Sequence, residues 1–294
     1  MRGLLSSTVG VSGVIVCSIV LLCSGDLVFL WLFLELGGLC LIPCFFLSGF
    51  SHFNSLFSYI VASSISSSFI LFGVLYSDLS LFLFLGFLVK FGIFPFSGWV
   101  YDVVCNSNWL VVLCLSTFLK VPFVYICFFM GGSFYYVGSL FCSVAFVVFG
   151  LMFWLNTPNW YYCWCHVMLS SSAGLVLMGL CISLDILIPF FLVYLVWSVG
   201  CVCTLWSYFS KGEFDGLLSG VGFKFVFYFC VLFLTTPVSL ALFYKLLSCY
   251  VMFSCGLLPL ICWSLYSVSE QWFLIKFIVS SMVPKNSLNV LSVV

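Results

Sequence analysis

Glu35, Lys90, Lys120 and Lys245 each lie inside a long apolar stretch, where a charge is hardest to keep. On insertion scales one such group at a helix centre costs roughly 2.5–3.5 kcal/mol, so four together cost on the order of 10 kcal/mol. Residues kept against that penalty are functional-site candidates, and the chemistry that carboxylates and amines do well inside a membrane is proton relay. Glu35, in Trp31-Leu-Phe-Leu-Glu35-Leu-Gly-Gly38, sits about 12 Å inside its expected helix at a rise of 1.5 Å per residue. Gly37 and Gly38 allow a neighbouring helix to approach it closely. Lys90 lies midway along its own run, too far from the ends to snorkel, so it needs an acidic partner, water or a neutral state. Lys120, in Ser116-Thr-Phe-Leu-Lys120-Val-Pro122, repeats the pattern one helix later. Lys245 follows Pro237 and is expected in the second half of a broken helix, unless it snorkels to a helix end. The plainer alternatives are a Glu35 hydrogen-bonded for packing alone and a static Glu35–Lys90 salt bridge.

The elements that must position these groups follow from composition. Among 294 residues only 8 are Lys or Arg and 8 are Asp or Glu, while 65% are hydrophobic. Such a chain cannot build a soluble surface, and the lipid bilayer is its expected solvent. A spanning helix needs about 20 apolar residues, which predicts ten spans. They are Leu4–Ser24, Leu27–Leu47, Leu56–Tyr76, Leu79–Trp99, Trp109–Met130, Tyr135–Leu155, Cys163–Leu180, Leu187–Phe209, a Val221–Tyr244 span with a break, and Gly256–Val279. The first run, after Arg2, has the charged start and apolar middle of a signal peptide, but further apolar runs follow at once, so it is expected to stay as the first span. Residues 1–294 are expected to form one bundle domain, with a short polar tail over 284–294. The clear loop cations, Arg2, Lys211 and Lys285, are too few to set the orientation.

Proline placement says where helices should break. Pro95, Pro122 and Pro237 each lie in or beside a span that carries a lysine. Proline removes an amide donor, and irregular backbone at membrane depth persists only inside protein or beside a watery cavity. Hydroxyls of Ser116, Thr117 and Ser170-Ser171-Ser172, together with His166, add polar lining, although serines at helix contacts also serve packing alone. Lys224 and Lys276 are read as snorkelling side chains or edge ion pairs, Lys276 with Glu270.

Several functions are excluded. A net charge of zero leaves no electrostatic footprint for nucleic acid. Two histidines in total cannot ligate two bis-histidine haems or a copper–haem centre. Most of the 17 cysteines lie in apolar runs, and the close pairs Cys163/Cys165 and Cys201/Cys203 have the wrong spacing for a zinc knuckle. No Gly-rich phosphate fingerprint is present. The abundance of Phe, Leu, Val, Cys, Gly, Ser and Trp fits codons rich in T and G, as in an organellar genome.

The motif Lys90-Phe-Gly-Ile-Phe-Pro95-Phe-Ser-Gly-Trp99, followed by Asp102, resembles Lys–x–Gly–x–x–Pro–Phe–His–x–Trp of the mitochondrial NADH dehydrogenase subunit-two family. These are membrane-arm subunits of respiratory complex I, related to cation/proton antiporters. Trp31 to Glu35 resembles the family's Glu-bearing helix, Lys120 before Pro122 its next lysine, and Ser170-Ser171-Ser172-Ala173 its Ser–Ser–x–Ala–His. Pro237 to Lys245 resembles the broken helix with the distal lysine. Ser97 and Gly174 stand where the family carries histidine, so those imidazoles are lost here. The resemblance implies an all-α, antiporter-like, polytopic transmembrane bundle of about ten helices, one or two of them broken. It implies a subunit of a proton-translocating NADH:ubiquinone oxidoreductase in the mitochondrial inner membrane, with other membrane-arm subunits as partners. In that scheme Glu35 modulates Lys90, Lys120 passes protons laterally, and Lys245 exchanges them with the far side. NADH, FMN, iron–sulfur clusters and ubiquinone would belong to other subunits, with no cofactor bound by this chain. A stand-alone cation/proton antiporter and a purely structural assembly subunit stay open as alternatives.

Overall fold

The computed structural model describes residues 2–23, 25–48, 53–122, 134–208 and 223–282. His52, Lys211, Lys285, the 284–294 tail, the far end of the fifth expected span and the first residues of the ninth lie outside the described residues. Among the described residues there are twelve α-helices and no strand. They are α1 (Arg2–Cys23), α2 (Leu27–Phe45), α3 (Phe53–Leu75), α4 (Ser80–Lys90), α5 (Gly98–Cys105) and α6 (Trp109–Ser116). The second half comprises α7 (Tyr135–Leu155), α8 (Trp160–Cys181), α9 (Leu184–Tyr208), α10 (Phe223–Leu232), α11 (Leu240–Cys255) and α12 (Leu257–Met282). Six of them, α1 to α3 and α7 to α9, are long and apolar enough to cross a membrane, and the chain is a multi-pass membrane protein.

Two spans are broken. The fourth expected span stops as a helix at Lys90 and resumes at Gly98, and the ninth is interrupted between Leu232 and Leu240. The second half of the ninth restarts after Ser239, which accepts a hydrogen bond from the Leu242 amide, and runs on to Cys255, beyond the expected end at Tyr244. A third helix loosens: after Thr117 the chain tightens into a 3-10 turn, Phe118–Lys120, that ends on the lysine. Each interruption therefore falls next to one of the three membrane lysines.

The helices differ sharply in what surrounds them. Along α1, α2 and α3 most side chains in the spanning window face outward, whereas α8 is enclosed along its whole window. It packs against α5, α7, α9 and α11. That enclosure is why α8 carries His166 and three consecutive serines inside a membrane at tolerable cost. Small residues set the closest contact, between α3 and α4. A Cβ on Gly86 would lie 2.9 Å from the Ile70 amide nitrogen and 3.0 Å from the Ser66 carbonyl oxygen, so only glycine lets the two backbones meet there. Gly86 is one turn before Lys90, so this contact also sets how far Lys90 stands from α3.

Candidate proton relay

The sequence around Lys90 dictates its own local structure. Lys90, Phe91, Gly92 and Ile93 form a helix-ending Schellman turn: the Gly92 amide donates to the Val89 carbonyl at 3.1 Å and the Ile93 amide to the Leu88 carbonyl at 3.0 Å. The turn requires a left-handed residue, and Gly92 supplies it with φ of 66°. The Trp99 indole also donates to the Val89 carbonyl, at 2.9 Å, so a carbonyl exposed by the break is satisfied inside the protein. Lys90 thus sits at the carbonyl end of α4, where a helix favours positive charge. The spacing of lysine, glycine, proline and tryptophan in the motif is the recipe for this break.

Lys90 meets Glu35 as expected. Its Nζ lies 3.1 Å from Glu35 Oε1 and donates to Ser63 Oγ on α3 at 2.9 Å. The Lys90 side chain is 12% exposed and that of Glu35 25%, so the carboxylate is the more open end of the pair.

Lys120 is 3% exposed and, among the described residues, no carboxylate lies within 4 Å of it. Its three ammonium protons go to neutral oxygens: Met168 O at 2.8 Å, Ser171 Oγ at 2.9 Å and Tyr194 Oη at 2.8 Å. Ser171 and Tyr194 spend their own protons on carbonyls, of Met168 at 2.7 Å and Ser116 at 2.7 Å. Either hydroxyl can rotate its proton from that carbonyl toward the amine, and this lets Lys120 alternate between charged and neutral forms without an orphaned partner. The hydroxyls of Ser116 and Thr117, expected as relay groups, instead donate to the Leu113 carbonyl of their own helix. Tyr194 on α9 takes their place, and no sequence signal marks it apart from other membrane tyrosines.

Lys245, 8% exposed on α11, pairs with Glu270 on α12 at 3.0 Å and donates to Ser267 Oγ at 3.2 Å. The spacing of Glu270 and Lys276 in the sequence suggests an ion pair at the membrane edge. That pairing is corrected: Glu270 is buried while Lys276 is exposed. The missed signal was position, since Glu270 lies midway along α12 just as Glu35 lies midway along α2.

Two cavities join these groups. One, with about 60 Å³ open to the centres of water molecules, touches both Lys90 and Lys120 along with Tyr59, Ser63 and Ser172. The other, of about 20 Å³, touches Ser170, Ser171, Lys245, Ser267 and Glu270. A water needs about 10–15 Å³ on this measure, so the first has room for several and the second for one. Consecutive helical residues point about 100° apart, which is why the serine triplet of α8 reaches both cavities. Ser172 lines the first, Ser170 and Ser171 the second, and Ser171 also touches Lys120. The resulting order is Glu35, Lys90, water-sized space, Lys120, Ser171, water-sized space, Lys245, Glu270.

His166 stands apart. Its Nε2 lies 3.1 Å from the Asn156 carbonyl and its Nδ1 2.6 Å from the Tyr101 hydroxyl. The carbonyl can only accept, which assigns the proton to Nε2 and makes Tyr101 the donor to Nδ1. Both ring nitrogens are occupied away from the lysines. Ser97 heads α5, and Gly174 lines the second cavity.

No family model matches the chain, and no curated protein matches it by sequence. Solved structures do match. One is "Respiratory complex I from Thermus thermophilus with bound Aureothin", with TM-score 0.66 and 17% identity over 85% of this chain and 64% of that one. Another is "the membrane-bound sulfane sulfur reductase (MBS), an archaeal respiratory membrane complex", with TM-score 0.67 and 14% identity over 87% of this chain and 62% of that one. The fold is shared with respiratory membrane complexes. The all-α bundle with broken helices expected from the sequence is the one observed. The chain spans under two thirds of the length of either match.

Proposed function

We propose that this chain is a core membrane subunit of a proton-pumping NADH:ubiquinone oxidoreductase of the mitochondrial inner membrane, and that it moves protons through Glu35, Lys90, Lys120 and Lys245. Electron transfer takes place on NADH, flavin, iron–sulfur clusters and ubiquinone held by other subunits, and its energy reaches this chain through neighbouring membrane-arm subunits. The observation that supports the reading best is the single ordered line of titratable groups and water-sized spaces, built on broken helices around α8, in a fold shared with respiratory complexes. Glu35 holds the charge on Lys90; weakening that pair frees the proton, which crosses the first cavity to Lys120. Rotation of the Ser171 or Tyr194 hydroxyl then passes it on toward Lys245.

Lys90→Met and Glu35→Gln, each in the assembled complex, are expected to slow coupled quinone reduction by roughly 100-fold, the low end for losing a proton-transfer group. Native gels check that assembly persists, and proton uptake by vesicles gives the stoichiometry. An unchanged proton-to-electron ratio in assembled Lys90→Met complexes would remove the relay role.

A further inference from the structure

We propose that Glu270 is a working acid of this relay, the acceptor of the proton that leaves Lys245. The inference rests on the relay reading above and adds a group to it. In the step, the N–H bond at Lys245 Nζ breaks as an O–H bond forms at Glu270 Oε2, so ammonium and carboxylate both become neutral and no electrons move. The two atoms are 3.0 Å apart, within reach for direct transfer. Among the described residues no other carboxylate lies within 4 Å of Lys245.

Three observations go beyond a static ion pair. First, the arrangement repeats that of Lys90, since each lysine holds one carboxylate and one serine hydroxyl: Glu35 and Ser63 for Lys90, Glu270 and Ser267 for Lys245. Lys120, between them, holds only neutral oxygens. Second, the space for one water touches both Lys245 and Glu270 and reaches Ser171, the hydroxyl on Lys120. A pair serving packing alone needs no such connection. Third, Glu270 is tied to the break in the ninth span. Its neighbour Gln271, the only glutamine in the sequence, donates to the Phe233 carbonyl at 3.1 Å and accepts from the Thr235 amide at 3.0 Å, both backbone groups freed by the break. The same Gln271 amide group lies 3.4 Å from Glu270 Oε1. A movement at the break therefore reaches the carboxylate through one side chain. Among the described residues, Cys163 on α8, Cys201 on α9, Tyr244 on α11 and Tyr266 on α12 are the other titratable groups near Glu270.

The test uses the full chain in its assembled complex in native membranes, with the rate of coupled proton movement and the protons moved per electron as readouts. Glu270→Gln is expected to slow coupled proton movement about 100-fold, and Glu270→Asp, which keeps the acid, to recover most of it. Should Glu270→Gln fail to assemble, the double variant Lys245→Met/Glu270→Leu leaves no charge unpaired and is expected to assemble without pumping. Full pumping by assembled Glu270→Gln, while Lys90→Met is impaired, overturns the role of Glu270 and leaves the relay reading intact; full pumping by the double variant overturns that role and removes Lys245 from the relay as well. If Lys90→Met also pumps fully, the relay reading itself falls.

Discussion

Replacing Lys120 with methionine is expected to stop proton movement through the chain, cutting the coupled rate by about 100-fold, while the bundle still assembles. The expectation follows from how its partners are bonded. Met168 O already accepts hydrogen bonds from Ser171 and Ser172, and Tyr194 already donates to Ser116 O. Removing the amine therefore strands no buried donor, and an unbranched apolar side chain fits the space. Lys120→Arg sharpens the test, because arginine keeps the charge and cannot release its proton. Both variants should be inactive if proton exchange is the role; a pumping arginine variant would show that charge alone suffices. The measurement is proton uptake per electron in vesicles, with assembly verified on native gels.

Gly86→Val should damage the same function by another route. The added carbons meet the backbone of Ile70 and Ser66, which cannot swing aside as a side chain does. Overpacking of this sort costs about 1–3 kcal/mol where side chains can yield, and backbone contact sets that as the lower end. The helices can relieve the contact only by separating, which lengthens the 2.9 Å bond from Lys90 to Ser63 and the 3.1 Å contact with Glu35. The expected results are a lowered melting temperature of the solubilised complex and loss of pumping in what remains folded. Gly98→Ala is the control, since a Cβ there meets nothing within 4 Å. Equal stability of the two variants would show that the α3–α4 approach does not position Lys90.

The sequence made the long helices readable because each is a run of apolar residues closed by polar or turn-forming ones. Tyr135–Leu155 was expected with the bounds observed, and α1, α2, α3, α8 and α9 within about three residues. The break after Lys90 was readable from Pro95, and that after Leu232 from Pro237. What composition did not give was how far the second half runs, past Tyr244 to Cys255, because its apolar residues there are interrupted by Lys245 and Ser248. The Glu35–Lys90 contact was legible since both residues are isolated charges at mid-helix depth. Glu270 was equally isolated in depth, but Lys276 two turns along offered a nearer partner in sequence, and only the fold shows Lys245 facing it instead. Tyr194 and Ser171 were hidden for a different reason: hydroxyls are common in membrane helices, and a relay hydroxyl differs from a packing one only in what it faces.

The contrast between the outward α1 to α3 and the enclosed α8 bears on how such a chain drifts over time. Lipid tails ask only that a side chain be greasy, so Leu, Ile, Val and Phe are interchangeable over most of the first three helices. Around α8 every position has a protein neighbour whose shape it must match. A molecule built this way can replace most of its letters and keep its architecture, which is how 14–17% identity coexists with TM-scores of 0.66–0.67.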